Sequence, residues 1–553
     1  MGTIPPNEKQ PEFEFDLKES FSPAVLIEEI SENTIGEELR AAAKDSPDLL
    51  ALIQIKEDGS RGKVWTYAEL YADAVDLAKV LAAKHEKGSR IAVWAPNYPE
   101  WVLIEFGSAL AGLVLVTVNP SYQVDELKYI LEQSQSRELY VANSFRGNPM
   151  RSIAEKAVSE MKEEITLVDV QDWDQIFARG DHNIMVQNEL PNVFPRDAAQ
   201  IQYTSGTTGF PKGAKLHHQG LLNNAKSFQI RMSMKRGDNW LNCMPMFHTS
   251  GAGMATLGCL ALRASHFIME RFDAKVWCQV VEREEINFLT AVPTMFVEIL
   301  EEWRAGEFGV PKIKGMTSGG TNVPPSLVKE IKETFGVWIQ IVYGQTETSP
   351  VISLAWSNDS LENLTNSVGQ ALPNVEVSIR DPQKKHVLPI GTTGEICCRG
   401  YNTMLEYHEN DSATKETMDS NNWLYTGDLG SMDRQGYINV SGRVKEMIIR
   451  GGENIYPKEI ENVLLENEAI SEAAIVGIPD SKYGEIVGCF IKFEKDRHLS
   501  SEQLKKFIRA KISPQKTPAF WVEVDEWPLT GSGKIRKFVL REEYLKGTYP
   551  SLN

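Results

Sequence analysis

The chain has 553 residues, 58 basic against 76 acidic side chains and a formal charge of −18. That acidity repels phosphate backbones and disfavours a general nucleic-acid binder, while leaving room for a local basic pocket. With 42% hydrophobic and 24% charged residues, disorder, collagen and coiled coil are excluded, and the length calls for more than one core.

Residues 1–30 read as a polar tail without the apolar stretch of a signal peptide. Thr34-Ile35-Gly36-Glu37 and Thr66-Tyr67-Ala68-Glu69 both match a helix capping box. The second leads into the stripe Leu70, Ala74, Leu77, Ala78, Leu81, and Arg90–Trp94 follows as a strand. The longest apolar run, Phe106–Val118, is shorter than the roughly 18 residues a membrane span needs, and reads as a buried helix followed by a strand. Strand and helix alternate to about residue 350, which predicts parallel sheets with crossover helices. From about 368 to 440 the texture changes to short strands and Gly-rich turns, predicting a small β-barrel or antiparallel subdomain. Beyond Arg443 a short α/β pattern follows: helix 457–466, strands 472–477 and 486–493, helix 501–512. The expected fold is therefore α/β. A large domain over 31–444 is followed by a small mobile α+β domain over 445–553.

The six cysteines, Cys243, Cys259, Cys278, Cys397, Cys398 and Cys489, contain no Cys-x-x-Cys spacing. They read as buried thiols of a cytoplasmic protein. His217-His218 has no third residue at metal-ligand spacing and reads as structural.

The densest chemistry lies in Tyr203-Thr204-Ser205-Gly206-Thr207-Thr208-Gly209-Phe210-Pro211-Lys212-Gly213. Four Ser/Thr hydroxyls, three glycines and one lysine follow a predicted strand and precede the helical stripe Leu221, Leu222, Ala225, Phe228. Glycines let backbone N–H groups wrap an anion, hydroxyls donate to phosphate oxygens, and Lys212 adds a point charge. The spacing is not that of a Walker A loop. The bland alternative, a polar surface loop, does not account for so many phosphate-friendly groups between a strand and a helix.

This stretch resembles the first signature of the adenylate-forming (AMP-binding) superfamily, and the resemblance runs from Trp65 to Lys537. Tyr343-Gly344-Gln345-Thr346-Glu347 looks like the second signature. By resemblance Tyr343 stacks on adenine, Thr346 reaches the α-phosphate, and Glu347 holds Mg²⁺ together with Thr204. Tyr425-Thr426-Gly427-Asp428 is similar to the segment whose aspartate grips the ribose hydroxyls. Gly442-Arg443-Val444-Lys445 is similar to the hinge, with Arg443 as second ribose ligand and Lys445 as the pivot. Lys534, in Gly531-Ser532-Gly533-Lys534, matches the lysine of the adenylation step. Gln515 stands where the family usually has an aromatic residue. Ser318-Gly319-Gly320-Thr321 resembles the loop between acyl group and adenine, and Pro245–Gly251 the helix start bordering the acyl pocket, with His248 as a gate.

The resemblance implies an AMP-forming carboxylic acid–CoA ligase using ATP, Mg²⁺ and CoA on a medium-chain or similar-sized monocarboxylic acid. Its wording is similar to medium-chain acyl-CoA synthetases. The alternatives are transfer of the acyl group to a separate carrier protein, amino-acid adenylation, a luciferase-like oxygenase, and a nucleotide-binding scaffold. Retention of Glu347 and Lys534 argues against the scaffold. Neither nucleic acid nor an integral membrane segment is expected, and the assembly expected is a homodimer or a monomer.

Overall fold

Both capping boxes form. The Thr34 side chain accepts from the Glu37 backbone while the Glu37 side chain returns the bond, opening the helix Ile35–Asp45; Thr66 and Glu69 do the same for Tyr67–Lys84. The stripe Leu70, Ala74, Leu77, Ala78, Leu81 is the buried face of that second helix. The run Phe106–Val118 is the end of the helix Pro99–Leu110 followed by the strand Val114–Thr117, both buried. The computed structural model describes residues 13, 15–173, 176, 189–204, 211–306, 308–309, 311–320, 323–451, 453–529 and 535–549.

Two large sheets carry the bulk of the chain. In the first, Arg90–Trp94, Val114–Thr117, Glu138–Val141, Thr166–Asp169 and Ala198–Thr204 run parallel. Lys212–His217 and Glu406–Tyr407 add antiparallel strands at one side. In the second, Leu50–Ile55, Ser265–Met269, Asn239–Asn242, Phe288–Thr290, Gly315–Gly319 and Ile339–Gly344 run parallel. Antiparallel strands complete both of its edges. Helices cover the sheets, so most strands are apolar on both faces, as parallel sheets require.

The third sheet decides between the two expected forms, the barrel and the antiparallel subdomain. Phe21–Ser22, Val375–Arg380, Gly394–Gly400, Leu424–Met432 and Ile438–Arg443 form an antiparallel sheet in that order, and its outer strands do not pair with each other. It is an open sheet and not a barrel, because a two-residue outer strand cannot supply the stagger that closure demands. Residues from Phe13 onward differ from the expected tail. Leu17 N–H donates to Arg434 O at 2.9 Å and Asn374 N–H to Val25 O at 3.1 Å. Ser31 N–H donates to Asn223 Oδ1 at 2.7 Å, and the Phe13 ring meets Trp356 edge-on at 5.3 Å. This segment stitches the antiparallel sheet to the helix His218–Arg231.

The C-terminal part has its own core, including Ile448, Ile460, Leu464, Ile475, Cys489 and Trp521. The expected elements are present as Pro457–Leu465, Ile470–Asp480, Gly484–Phe493 and Ser501–Arg509. A parallel strand, Phe520–Glu523, and a helix, Lys537–Leu545, complete it. All six cysteines are buried and none is bridged. Among the described residues no helix is long and apolar enough to cross a membrane.

Candidate active site

The carboxyl ends of the parallel strands open into one cleft of about 1300 Å³, the place where open α/β sheets bind ligands. Typical ligand pockets hold about 300–1,000 Å³, so this one has room for more than one substrate. Thr204, Lys212, His248, Gly320, Gly344, Thr346, Glu347, Arg443 and Lys445 all line it. Tyr343 and Asp428 are not on the lining itself; they stand beside it. Ser205, Gly206, Thr207, Thr208, Gly209, Thr321 and Lys534 lie outside the described residues.

The glycine-rich stretch is held at its base. Thr204 ends one strand and Lys212 begins the next, and the two residues face each other across an antiparallel pair. The Thr204 hydroxyl donates to Lys212 O at 3.4 Å. The Lys212 ammonium lies over the Tyr407 ring, 5.0 Å from its centroid.

The second signature is shaped by backbone contact. A Cβ on Gly344 would sit 1.9 Å from Pro350 O, so only glycine fits where the strand Ile339–Gly344 turns into the short helical turn Thr346–Thr348. Gln345 N–H donates to Pro350 O at 2.9 Å and Met404 N–H to Glu347 O at 2.8 Å. Glu347 is thereby presented from a pinned backbone. It is 8% exposed, and its carboxylate accepts from the Tyr407 hydroxyl at 2.6 Å.

Asp428 and Arg443 sit opposite each other on neighbouring strands. Arg443 Nε donates to Asp428 Oδ1 at 3.1 Å, and the Tyr343 hydroxyl donates to Asp428 Oδ2 at 3.0 Å. Burial, reinforced by the Asp428 charge, holds the Tyr343 phenol far above its ordinary range. Burial opposes the charge on Arg443, but Asp428 and Glu446 outweigh it and raise its affinity for the proton. Gly427, beside Asp428, has φ +73° and open space where a side chain would be.

His248 and Phe247 border the cleft with their rings 4.3 Å apart, at the entrance to a wide π-helical stretch, Ser250–Leu257. The lining also includes the apolar residues Met244, Met254, Ala291, Val292 and Met295. Arg271, also on the lining, is paired with Glu57 at 3.3 Å. His217 and His218 have structural roles: His217 caps the helix His218–Arg231 by accepting from Gly220 N–H at 3.0 Å, and His218 Nδ1 accepts from Ile35 N–H at 3.4 Å.

Lys445, expected as the hinge, lies in the short turn Val444–Glu446, directly after the strand that carries Arg443. Across this turn Lys537 Nζ reaches Glu446 at 3.0 Å and Glu461 at 2.7 Å. Leu529 and Ile535 form an antiparallel bridge on either side of residues 530–534.

These groups fit a nucleoside polyphosphate with a divalent cation. Glu347 offers the hard oxygen ligand such a cation takes, and Lys212, Arg443 and Lys445 line the same cleft. Gly320 and Gly427 leave backbone accessible, each with open space at its Cβ position. Sequence reasoning missed Tyr407, which touches both Glu347 and Lys212. A lone tyrosine in a polar stretch carries no signal of its own, and only strand pairing brings it there.

The profile of the AMP-binding enzyme family matches residues 39–408, and that of the AMP-binding enzyme C-terminal domain matches 459–534. The chain is 34% identical to the "Putative acyl-CoA synthetase YngI" of Bacillus subtilis (strain 168), covering 94% of this chain and 98% of that protein. It is 32% identical to the human "Medium-chain acyl-CoA ligase ACSF2, mitochondrial", covering 93% and 88%. Among solved structures, ATP-bound MatB from Rhodopseudomonas palustris superposes with a TM-score of 0.80 at 26% identity, over 93% of this chain and 99% of that one. The o-succinylbenzoate-CoA synthetase MenE of Bacillus subtilis, in complex with ATP and magnesium ion, superposes with 0.78 at 28% identity, over 93% and 99%. With both family profiles matched, and the described signature residues on or beside one cleft, the chain belongs to the AMP-binding enzymes and is an acyl-CoA synthetase.

Proposed function

We propose that this chain is an ATP-dependent ligase joining CoA to a medium-chain, or similar-sized, uncharged monocarboxylic acid. The observation that carries the reading is the shared cleft. Glu347, Thr204 and Lys212 line it, and so do Met244, Met254 and Met295. Unbranched, polarisable methionines adapt to a flexible acyl chain. Arg271, the cation on the lining nearest Phe272, is paired with Glu57 at 3.3 Å.

In the first half-reaction the acid's carboxylate oxygen attacks the α-phosphorus of ATP, forming acyl-AMP and releasing pyrophosphate. Lys212 and the backbone around Gly320 steady the phosphates, Asp428 and Arg443 hold the ribose, and Lys534 stabilises charge on the α-phosphoryl oxygens. Glu347 with Thr204 would hold Mg²⁺, which neutralises polyphosphate charge when bound. In the second half-reaction the CoA thiolate attacks the acyl carbonyl, and AMP leaves with the anhydride electrons. The domains divide at Lys445, into 31–444 and 445–553, and rotation there clears Lys534 from the path of CoA. His248 gates the acyl end.

The test is pyrophosphate release over straight-chain, branched, aromatic and amino acids, followed by thioester formation with CoA. Octanoate-like acids are expected to lead in both assays. Faster turnover of amino acids would overturn the substrate class. Acyl-AMP formation without CoA acylation would overturn the acceptor and point to a carrier protein.

A further inference from the structure

We propose that Tyr407 is a positioning residue that sets the Glu347 carboxylate with its hydroxyl and the Lys212 ammonium with its ring. The inference rests on the reading of Glu347 as the metal ligand. Tyr407 is 6% exposed and also lines the cleft. Its hydroxyl donates to Glu347 Oε1 at 2.6 Å, and Lys212 Nζ lies 5.0 Å from its ring centroid.

The side chain is held from both directions. The strand Glu406–Tyr407 pairs with Lys212–His217, placing Tyr407 opposite Ala214. Tyr407 N–H donates to Thr414 Oγ1 at 2.9 Å, and His408 N–H donates to Gly213 O at 2.8 Å. Three residues upstream, Met404 N–H donates to Glu347 O at 2.8 Å. Both signatures are therefore bolted to one short segment, and Tyr407 is the member whose side chain contacts both charges.

The chemistry of the donor matters. A carboxylate has two oxygens, and a neutral hydroxyl on Oε1 fixes the orientation of the group without cancelling its charge. Oε2 then keeps its full attraction for a cation. A lysine or arginine in the same place would neutralise the ligand it was meant to orient. The ring acts separately, because its face attracts the ammonium through the quadrupole. One side chain thus sets the spacing between a fixed cation and a metal-binding anion, which are the two groups that must straddle a polyphosphate.

A buried tyrosine that had merely found a convenient acceptor would contribute stability and nothing else, and metal dependence separates the two cases. The measurement is ATP binding by calorimetry over a Mg²⁺ titration, with AMP binding in metal-free buffer as control. Tyr407→Phe keeps the ring and removes the hydroxyl. It is expected to raise the Mg²⁺ needed for half-saturation about 10-fold, as loss of an outer-shell partner does, with AMP binding unchanged. Tyr407→Leu is expected to weaken ATP binding by a further factor of about 3 even at saturating Mg²⁺, because the ring face is also lost. In a Glu347→Ala background, Tyr407→Phe is expected to add nothing. An unchanged Mg²⁺ requirement in Tyr407→Phe overturns the inference and leaves Glu347 as ligand untouched. Equal loss of ATP and AMP binding also overturns it, since that is general damage. If the unaltered chain binds ATP no better with Mg²⁺ than without, the reading of Glu347 falls, and this inference falls with it.

Discussion

Arg443 donates to Asp428 at 3.1 Å from the neighbouring strand, so the carboxylate assigned to the ribose already carries an oriented partner before any nucleotide arrives. Tyr343 holds the other carboxylate oxygen at 3.0 Å. Preorganisation of this kind lowers the cost of ordering the site on binding. Asp428→Ala should therefore raise the ATP concentration for half-maximal rate about 10- to 100-fold, the worth of one charge-assisted hydrogen bond. The requirement for the acid should stay level. Steady-state kinetics with each substrate varied checks this, and a shift confined to the acid would refute the ribose assignment.

Gly344→Ala should damage function through the backbone. The new methyl would approach Pro350 O to 1.9 Å, so the turn presenting Thr346 and Glu347 must move. Overpacking costs about 1–3 kcal/mol in stability. Thermal melting measures that loss, and pyrophosphate exchange should fall more than melting alone explains. A variant with normal exchange would show that the turn tolerates displacement.

Lys534→Ala and Lys445→Pro should separate the half-reactions. Loss of Lys534 should lower acyl-AMP formation by about 10²–10³, typical of removing one preorganised charge from a transition state. Transfer from supplied acyl-AMP to CoA should survive. Proline at 445 fixes φ near about −65°, so pyrophosphate exchange should persist while thioester formation is lost. Equal loss of both halves in both variants would favour a single fixed site.

Stability should fall with acid in a defined window. Burial pushes His217 and His218 from 6.5 down to about 4, while the unfolded chain protonates both near their ordinary value. Between those pH values the unfolded state binds more protons, so unfolding free energy rises with pH across the window and levels off above it. Each histidine contributes on the order of 3 kcal/mol over the full range. His217→Asn keeps a helix-capping oxygen and should shallow the slope measured by chemical denaturation from pH 4 to 6.5. An unaltered slope would remove His217 from the account.

Much of the site was legible because its chemistry is local. Thr204 and Lys212 frame a contiguous glycine-rich stretch, and Gly344 to Glu347 are adjacent in sequence, so short-range composition exposed them. Both capping boxes were legible for the same reason, since residue spacing alone defines them. Tyr407 was not legible: it reaches Glu347 across 60 positions of chain through hydrogen bonding of the strand beside it. The sequence left both a barrel and an antiparallel sheet open for residues 368–440, because strand content does not encode whether the last strand meets the first. The strand Phe520–Glu523 was missed because its pairing partner, Gly484–Phe493, lies far upstream.

The N-terminal segment has a consequence for how the protein can be handled. Phe21–Ser22 covers the outer side of Val375–Arg380, and beyond it Phe13 packs on Trp356 and over the buried guanidinium of Arg231. Trimming the chain to the borders of the family match would strip that cover. Val375–Arg380 would then present a bare row of amide and carbonyl groups to solvent, a template for strand addition between molecules. A shortened version beginning near residue 35 should self-associate with rising concentration even where its active cleft is intact, and size-exclusion chromatography across a dilution series would register it.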